Sequence, residues 1–401
     1  MSGKTVMIKN DRAARILYNK HPWIFSGAVK NTLGTIANGD VVDIAVENGG
    51  VFAIGTYNAN SEIRLRVISW LDVTPDEKYF FEKIQNLANT KEQLLGMEKT
   101  PEKKKNYRLV YSDADGIPGL IVDRYGMVFV LQAQTLFADL NKDMWITILT
   151  KLFKPKAVYE RSDVDVRKRE GLKSLPKGVL HGELPENLVI DEDGFKIEID
   201  ISTGQKTGFF LDLRQVRKRV EYWCELMKVR KLQNYFAYTG SVNLYACRAG
   251  VEEVEHIDSS EPANLLAKKS AELNEYDKNI TIVQADAFDH LAKTADESID
   301  AIVLDPPSFV KHKEQLDNAL DGYKRLNVLA LKKLKKGGLL FTLSCSSYVS
   351  EADFQKTLFL SAVTAKADIK LLEKIGHDVD HAWPLTFPEG RYLQCVVLLK
   401  Q

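Results

Sequence analysis

Three aspartates and one cysteine are spaced so that they could do chemistry together. Asp258, Asp286 and Asp305 each stand at the end of a short run read as a strand, and Cys345 at the end of another. If those runs are strands of one parallel sheet, their carboxyl ends share a crevice of the kind where ligands bind. Asp258 is then placed for ribose hydroxyls and Asp286 for an adenine amine. Cys345 is a nucleophile candidate facing the same crevice, beside a helix start near Glu351 that would lower a thiol pKa. The plainer readings are that each Asp caps the next helix and that the cysteine is a small buried side chain.

The turn that opens this crevice is Ala237-Tyr238-Thr239-Gly240-Ser241, after a strand over Lys231–Phe236. It holds one glycine. A pyrophosphate needs close backbone approach through several, so a dinucleotide is excluded and a nucleoside cofactor without phosphate fits. One acid per strand end and no phosphate loop is the pattern S-adenosylmethionine (SAM) requires. The candidate cofactor residues here are Asn234, Phe236, Tyr238, Thr239, Gly240, Asp258, Ser259, Asp286, Ala287, Asp305 and Pro306.

Asp305-Pro306-Pro307-Ser308-Phe309 ends the fourth run. Two prolines fix an extended, donor-poor backbone. Such a loop presents carbonyls and one acid to a planar target bearing an amino group, so Pro307, Ser308 and Phe309 are candidate substrate contacts. SAM and a thiolate are needed together for C5 methylation of a pyrimidine. The thiolate adds at C6, C5 becomes nucleophilic, a base later removes the C5 proton, and the thiol leaves. Asp305 is placed to assist the addition near N3. Glu389, between Pro388 and Gly390, is a candidate for the base or a turn carboxylate. His377-Asp378-Val379-Asp380-His381 has a metal-like composition, but the reaction needs no metal and none is expected. His381 is instead a candidate contact to substrate or to Cys345. Lys332–Lys336 reads as a solvated helix end or a phosphate contact.

The elements that position these residues follow from periodicity. Strands are expected at 196–201, 230–235, 252–257, 280–284, 299–304, 338–343, 368–374 and 392–399, most separated by helices, which implies an α/β, doubly wound, mainly parallel sheet. Upstream, residues 1–73 read as short strands of a small β-barrel. Residues 74–190 read as an α+β unit with a Leu120–Gln134 hairpin, a helix over 137–153 and a strand over Ala157–Glu160. Its first helix is expected to start at a capping box of Thr74, Pro75 and Glu77.

Composition bounds the rest. The 401 residues carry 55 basic and 55 acidic side chains, a net charge of zero, which excludes a uniformly basic nucleic-acid binder. Neutrality is an average: residues 1–30 hold Lys4, Lys9, Arg12, Arg15, Lys20 and Lys30 against Asp11 alone. Arg12, Trp23 and Phe25 in that segment suit looped RNA, where bases stack and phosphates pair with cations; otherwise Trp23 and Phe25 fill the barrel core. The four cysteines are too scattered for a zinc ribbon or a disulfide framework. No signal peptide or membrane span is read, so a cytoplasmic protein is expected.

Longer strings carry a family resemblance from end to end. His21–Gly27, Ser61–Arg66, Asp115–Tyr125, Glu160–Asp163, Gln205–Arg214, Asn234–Gly240, Asp305–Phe309 and Ser344–Ser346 resemble the PUA-containing class I SAM-dependent rRNA methyltransferases of the 23S rRNA (cytosine-C5) type. Leu213 stands where that family usually has Gln, and Ser241-Val242 where it has Gly-Phe. The resemblance implies a PUA β-barrel (1–73), a central α+β domain (74–190) and a Rossmann-like seven-stranded methyltransferase domain (191–401). It adds Gln205, Lys206, Thr207 and Phe209 to the cofactor site. It makes Cys345 and Asp305 the catalytic pair, S-adenosylhomocysteine (SAH) the product, and 23S rRNA or a large-subunit precursor the partner. No membrane is involved, and a homodimer is a candidate assembly. Related enzymes without the cysteine methylate guanine, so Cys345 favours pyrimidine C5; uracil C5, a small-molecule acceptor, and a non-catalytic RNA-binding assembly factor are the competing readings.

Overall fold

The computed structural model describes residues 3–47, 49–173, 175, 177–310 and 315–401. They form two compact units. The first is Met1–Glu186 with Ile201–Gly208 and Val379–Gly390, and the second is Asn187–Asp200, Phe209–Asp378 and Arg391–Gln401.

The first unit holds two sheets. One has six strands in the order Trp23–Phe25, Ile63–Ser69, Gly50–Tyr57, Val41–Val46, Thr5–Ile8 and Val29–Leu33. All its pairs are antiparallel except Thr5–Ile8 with Val41–Val46. Val6, Ile8, Val42, Ile44, Leu65 and Val67 form its core. The other has five strands, in the order Gly178–Gly182, Ala157–Glu160, Val128–Ala133, Leu120–Tyr125 and Asn106–Tyr111. The helix Glu77–Leu94 packs Phe80, Ile84 and Ala88 into its core.

Two expectations need correcting here. The Glu77–Leu94 helix is capped by Asp76, whose carboxylate accepts from the Tyr79 N–H, so Thr74 is not the cap. A charged oxygen adjacent to the first turn serves the helix N-terminus at least as well as a hydroxyl two residues earlier. The helix expected over 137–153 is broken into Leu136–Leu140 and Lys142–Phe153. At the break the Asn141 side chain donates to the Phe137 carbonyl and the Trp145 indole to that of Ala138, so side chains take over helix-end acceptors.

The second unit is built on a seven-stranded sheet. Its order is Ile280–Gln284, Glu253–Asp258, Lys231–Tyr235, Ile299–Leu304, Leu334–Cys345, Leu393–Lys400 and Ile369–Ile375. The first five are parallel, and Leu393–Lys400 runs antiparallel to both its neighbours. Fully apolar runs such as Ala301-Ile302-Val303-Leu304 are buried on both faces, as a helix-covered parallel sheet requires. The strand expected at 196–201 does not join this sheet. Phe195–Ile199 pairs with Leu188–Glu192 as a separate hairpin. Glu192 of that hairpin accepts from the buried guanidinium groups of Arg214 and Arg217, and Arg214 also meets Asp378 at 2.6 Å. Among the described residues, no helix is long and apolar enough to cross a membrane.

Candidate active site

The parallel strands Glu253–Asp258, Lys231–Tyr235, Ile299–Leu304 and Leu334–Cys345 are neighbours, so their carboxyl ends lie side by side. The order reverses at Lys231–Tyr235, with the next parallel strands in sequence on one side and Ile299–Leu304 on the other. That is the switch point where open α/β sheets bind ligands.

The loop after Tyr235 is tightly shaped. Phe236, Tyr238 and Gly240 all have positive φ, at 57°, 48° and 69°. For two aromatic residues that conformation is costly and persists only where surroundings impose it. Here the Tyr238 N–H donates to Asp258 Oδ2 at 2.9 Å, the Ala237 N–H to the Ile257 carbonyl, and the Gly240 N–H to the Ala237 carbonyl. A Cβ on Gly240 would stand 3.0 Å from Ala267 Cβ and from Asn243 Nδ2, so glycine permits both the turn and the packing beneath it.

Sequence reasoning missed what supports this loop. Asn234 Nδ2 donates to Asn243 Oδ1, Asn243 Nδ2 to His256 Nδ1, His256 Nε2 to Asn264 Oδ1, and Asn264 Nδ2 to the Asp258 carbonyl. The chain of bonds joins the first strand to the second, just before the two loops that border the crevice. Burial pushes the His256 pKa down to about 4, so the ring is neutral at pH 7 and can accept through one nitrogen while donating through the other. Only the polar character of Asn243, His256 and Asn264 within otherwise apolar elements could have pointed to it.

Asp258 accepts from Tyr238 N–H through one oxygen and Ser260 N–H through the other. It does not cap the following helix: Ser260 does that, accepting from the Ala263 N–H. Asp258 is half-buried and Ser259 exposed beside it. Asp286, exposed, caps Ala287–Lys293 through Oδ1, which takes the N–H groups of Phe288 and Asp289. For Asp286 the helix-cap reading therefore holds for one of its two oxygens.

Cys345 is the last residue of its strand and is half-buried. Its thiol donates to Asp305 Oδ1 at 3.5 Å, across two adjacent strand ends. Beneath them Ser344 Oγ donates to the Tyr323 hydroxyl. Burial, followed in size by an opposing hydrogen bond from Ser344, leaves the Tyr323 pKa raised to about 12, with the charges of Cys345 and Asp305 also raising it. Tyr323 therefore stays a neutral phenol. Its ring packs against Phe309 at 4.8 Å between centroids, and Ser308 Oγ donates to the Val310 carbonyl. Pro306 is buried and Pro307 exposed. The other three cysteines are buried, and burial pushes Cys224 and Cys247 up to about 12 and Cys395 well above the ordinary thiol value.

The remaining sequence candidates are distributed over both units. Phe209 is buried in the second unit under the Arg217 guanidinium. Gln205, Lys206 and Thr207 belong to the first unit, where Thr207 Oγ1 donates to Asp123 Oδ2 at 2.6 Å. Glu389, also there, meets His21 Nε2 at 2.8 Å. His381 is buried, bonded to Asp380 at 2.7 Å and packed against Tyr111. Arg12 is exposed and faces Asp11. Phe25 is 52% exposed and so does not fill the core of its sheet. Asp378 is engaged by Arg214 and Gln215, and no metal-binding cluster occurs among the described residues.

Comparison with known proteins bears on both units. A PUA-like domain matches residues 6–70, and the S-adenosylmethionine-dependent methyltransferase family matches residues 167–367. The chain is 39% identical to ribosomal RNA large subunit methyltransferase I of Vibrio parahaemolyticus, over 94% of this chain and 96% of that protein. It is 37% identical to the protein of the same name from Vibrio vulnificus, over 99% and 100%. Among solved structures, SMU.776 complexed with SAH superposes with a TM-score of 0.81 at 21% identity, covering 99% of both chains.

Proposed function

The chain belongs to the PUA-bearing, S-adenosylmethionine-dependent methyltransferases that include the Vibrio ribosomal RNA large subunit methyltransferases I, and we propose that it forms 5-methylcytidine in large-subunit (23S) rRNA through a Cys345 adduct. SAM is its cofactor, and the second unit's strand ends suit it. A half-buried carboxylate anchored by two backbone N–H groups, Asp258, is a rigid acceptor pair for ribose hydroxyls. Asp286 keeps an oxygen beyond its helix cap for the adenine amine. When bound, SAM supplies an electrophilic methyl group. This assignment implies a cytoplasmic enzyme working on ribosomal precursors.

The observation that carries the reading is the Cys345–Asp305 contact. Asp305 takes the thiol proton, leaving a thiolate and a carboxylic acid. The thiolate forms a bond to C6 of the pyrimidine, the C5–C6 electron pair moves through the ring, and Asp305 returns the proton at N3. C5 is then electron-rich and takes the methyl group. Loss of the C5 proton to a base drives the electrons back and breaks the Sγ–C6 bond, releasing a thiolate, and the N3 proton returns through Asp305 to restore the thiol. Pro306 and Pro307 hold Asp305 on a stiff loop, and the Phe309–Tyr323 contact fixes where that loop leaves the sheet. A base inside a duplex is out of reach of such a crevice, so the target is looped or flipped out.

Cys345→Ala should abolish methyl transfer to unmodified rRNA, a loss of about a thousandfold or more for a missing nucleophile, while SAM affinity stays unchanged by calorimetry. Full methylation by the variant would overturn the adduct. Mapping the methylated atom by mass spectrometry separates cytosine C5 from uracil C5 and guanine.

A further inference from the structure

The first unit contains a cavity of about 650 Å³ whose lining includes neither Cys345 nor Asp305. Its walls come from the Trp23–Phe25 strand, the Ile63–Ser69 strand and the Pro388–Gly390 turn. Its volume falls within the range that holds a nucleoside-sized ligand. Four aromatic residues line it: Trp23, Phe25, Tyr111 and Phe387. Trp23 and Phe387 meet edge to face at 5.0 Å, and Phe25 stands in the wall more than half exposed. Trp23 is half-buried, while Phe387 and Tyr111 are buried. A large exposed aromatic beside a half-buried one is a poor way to close a core and a good way to build a stacking surface. The Trp23 indole N–H is buried without an acceptor among the described residues. Ring contacts with His21 and Phe387 and the Arg66 guanidinium 5.2 Å from its centroid hold that ring, so adjusting it to a ligand breaks no hydrogen bond of the indole.

The polar groups narrow the ligand. Arg66, though in the wall, is committed: it is buried against Asp113 and Glu170 at 3.1 and 2.9 Å. Arg169 lines the cavity, is exposed, and has no ion-pair partner among the described residues, so it is a cation left for a phosphate. Glu62 and Glu389 are exposed carboxylates at the rim. Glu389 gives one oxygen to His21, and Glu62 gives one to Ser26. A carboxylate accepts two parallel N–H donors. Among the RNA bases only guanine offers a ring N–H beside an amine on its pairing edge.

We propose that this cavity is a subsite for an unstacked guanine nucleotide of the RNA: the base stacks among Phe25, Trp23 and Phe387, its pairing edge faces Glu389, and its phosphate meets Arg169. The proposal rests on the reading that RNA is the substrate and gives that substrate a second point of recognition.

The test uses the full chain saturated with SAH, so that added nucleotides cannot enter the cofactor site. Calorimetry with GMP should show binding that Glu389→Gln weakens about tenfold, with AMP binding more weakly and insensitive to that change. In methyl-transfer assays on unmodified rRNA, Phe25→Ala and Arg169→Gln should each raise KM roughly five- to tenfold with kcat retained, the size expected for one lost stacking or phosphate contact. Both positions are exposed, so the variants should fold, and an unchanged thermal melt checks this. Absence of GMP binding, equal binding of AMP and GMP, or an unchanged KM in both variants would overturn the subsite. A wild-type protein that binds SAM but methylates no RNA would overturn the functional reading instead, and the calorimetry is independent of that result.

Discussion

The two ends of the seven-stranded sheet engage carboxylates differently, although Asp300 at the amino end accepts from the N–H groups of Arg230 and Lys231 as well as from a lysine. At the amino end, Asp300 meets Lys335 at 2.7 Å, Glu252 meets Arg230 at 2.7 Å, and Glu253 meets Lys231 at 3.6 Å. A cavity of about 590 Å³ opens there too, lined by these same groups, so volume does not distinguish the ends. At the carboxyl end, Asp258 and Asp286 accept from backbone N–H groups, and Asp305 from the Cys345 thiol. An ion pair spends a carboxylate's charge on a neighbouring side chain. A backbone N–H fixes the group in place and leaves its charge and remaining lone pairs for a ligand. At Asp286 the donors are the first N–H groups of the helix that follows the strand, and at Asp258 they are the Tyr238 loop N–H and the Ser260 cap N–H; these take the role that lysine and arginine fill at the other end.

The strongest way to break this contrast is to remove one backbone-anchored charge. In Asp258→Asn the amide cannot accept from both Tyr238 and Ser260, because one of its two ends is a donor. Losing a charge-assisted bond of about 2 kcal/mol should weaken SAM binding roughly thirtyfold. Calorimetry with SAM reads this directly. Unchanged affinity would mean that Asp258 only ties two loops together.

The support beneath the loop gives a second, smaller effect, through pH. His256 is buried and neutral, with its pKa lowered to about 4. In the unfolded chain its pKa is the ordinary 6.5 or so. Between those values the unfolded state binds a proton that the folded state does not. Stability therefore falls as pH drops from about 6.5 toward 4, by at most about 1.4 kcal/mol per pH unit from this residue. Thermal melts across that window should show the slope, and His256→Gln, which has no proton to gain, should flatten it. An identical pH profile in the variant would show that other groups carry the slope.

Much of the carboxyl end was legible in sequence, because it depends on local signals. Short strand-like runs ended by Asp258, Asp286, Asp305 and Cys345 mark strand ends, and alternation with helices makes those strands parallel. What escaped was non-local or conformational. The Asn234–Asn243–His256–Asn264 chain joins residues on separate elements whose spacing follows no helix or strand period. Positive φ at Phe236 and Tyr238 contradicts the preference of aromatic side chains, so only the assembled loop reveals it. The 195–199 segment looks like any other strand; its partner, Leu188–Glu192, is chosen by the Arg214 and Arg217 guanidinium groups that Glu192 binds. Helix starts were misplaced at Asp76 for a smaller reason, since two capping residues stood close together and the charged one won. PUA-like and methyltransferase segments were recognised from their longer motifs, which no single periodicity argument could have supplied.

The mildest prediction tests whether the amino end is inert toward the cofactor. Burial opposes ionisation of Asp300, but Lys335 and the N–H groups of Lys231 and Arg230 outweigh it and hold its pKa below the usual carboxylate value. The sign follows: the folded carboxylate is favoured over the unfolded one above the ordinary pKa, and that stability is lost as pH falls through the lowered value. Asp300→Asn should therefore be slightly less stable than wild type at neutral pH, by no more than about 1 kcal/mol for a partly exposed pair, and should show a shallower loss below about pH 4. SAM affinity and methyl transfer at neutral pH should not change. If Asp300→Asn shifted the SAM affinity, charge at one end of the sheet would be felt at the other, and the division of labour between paired and backbone-anchored carboxylates would fail as an explanation of where the site lies.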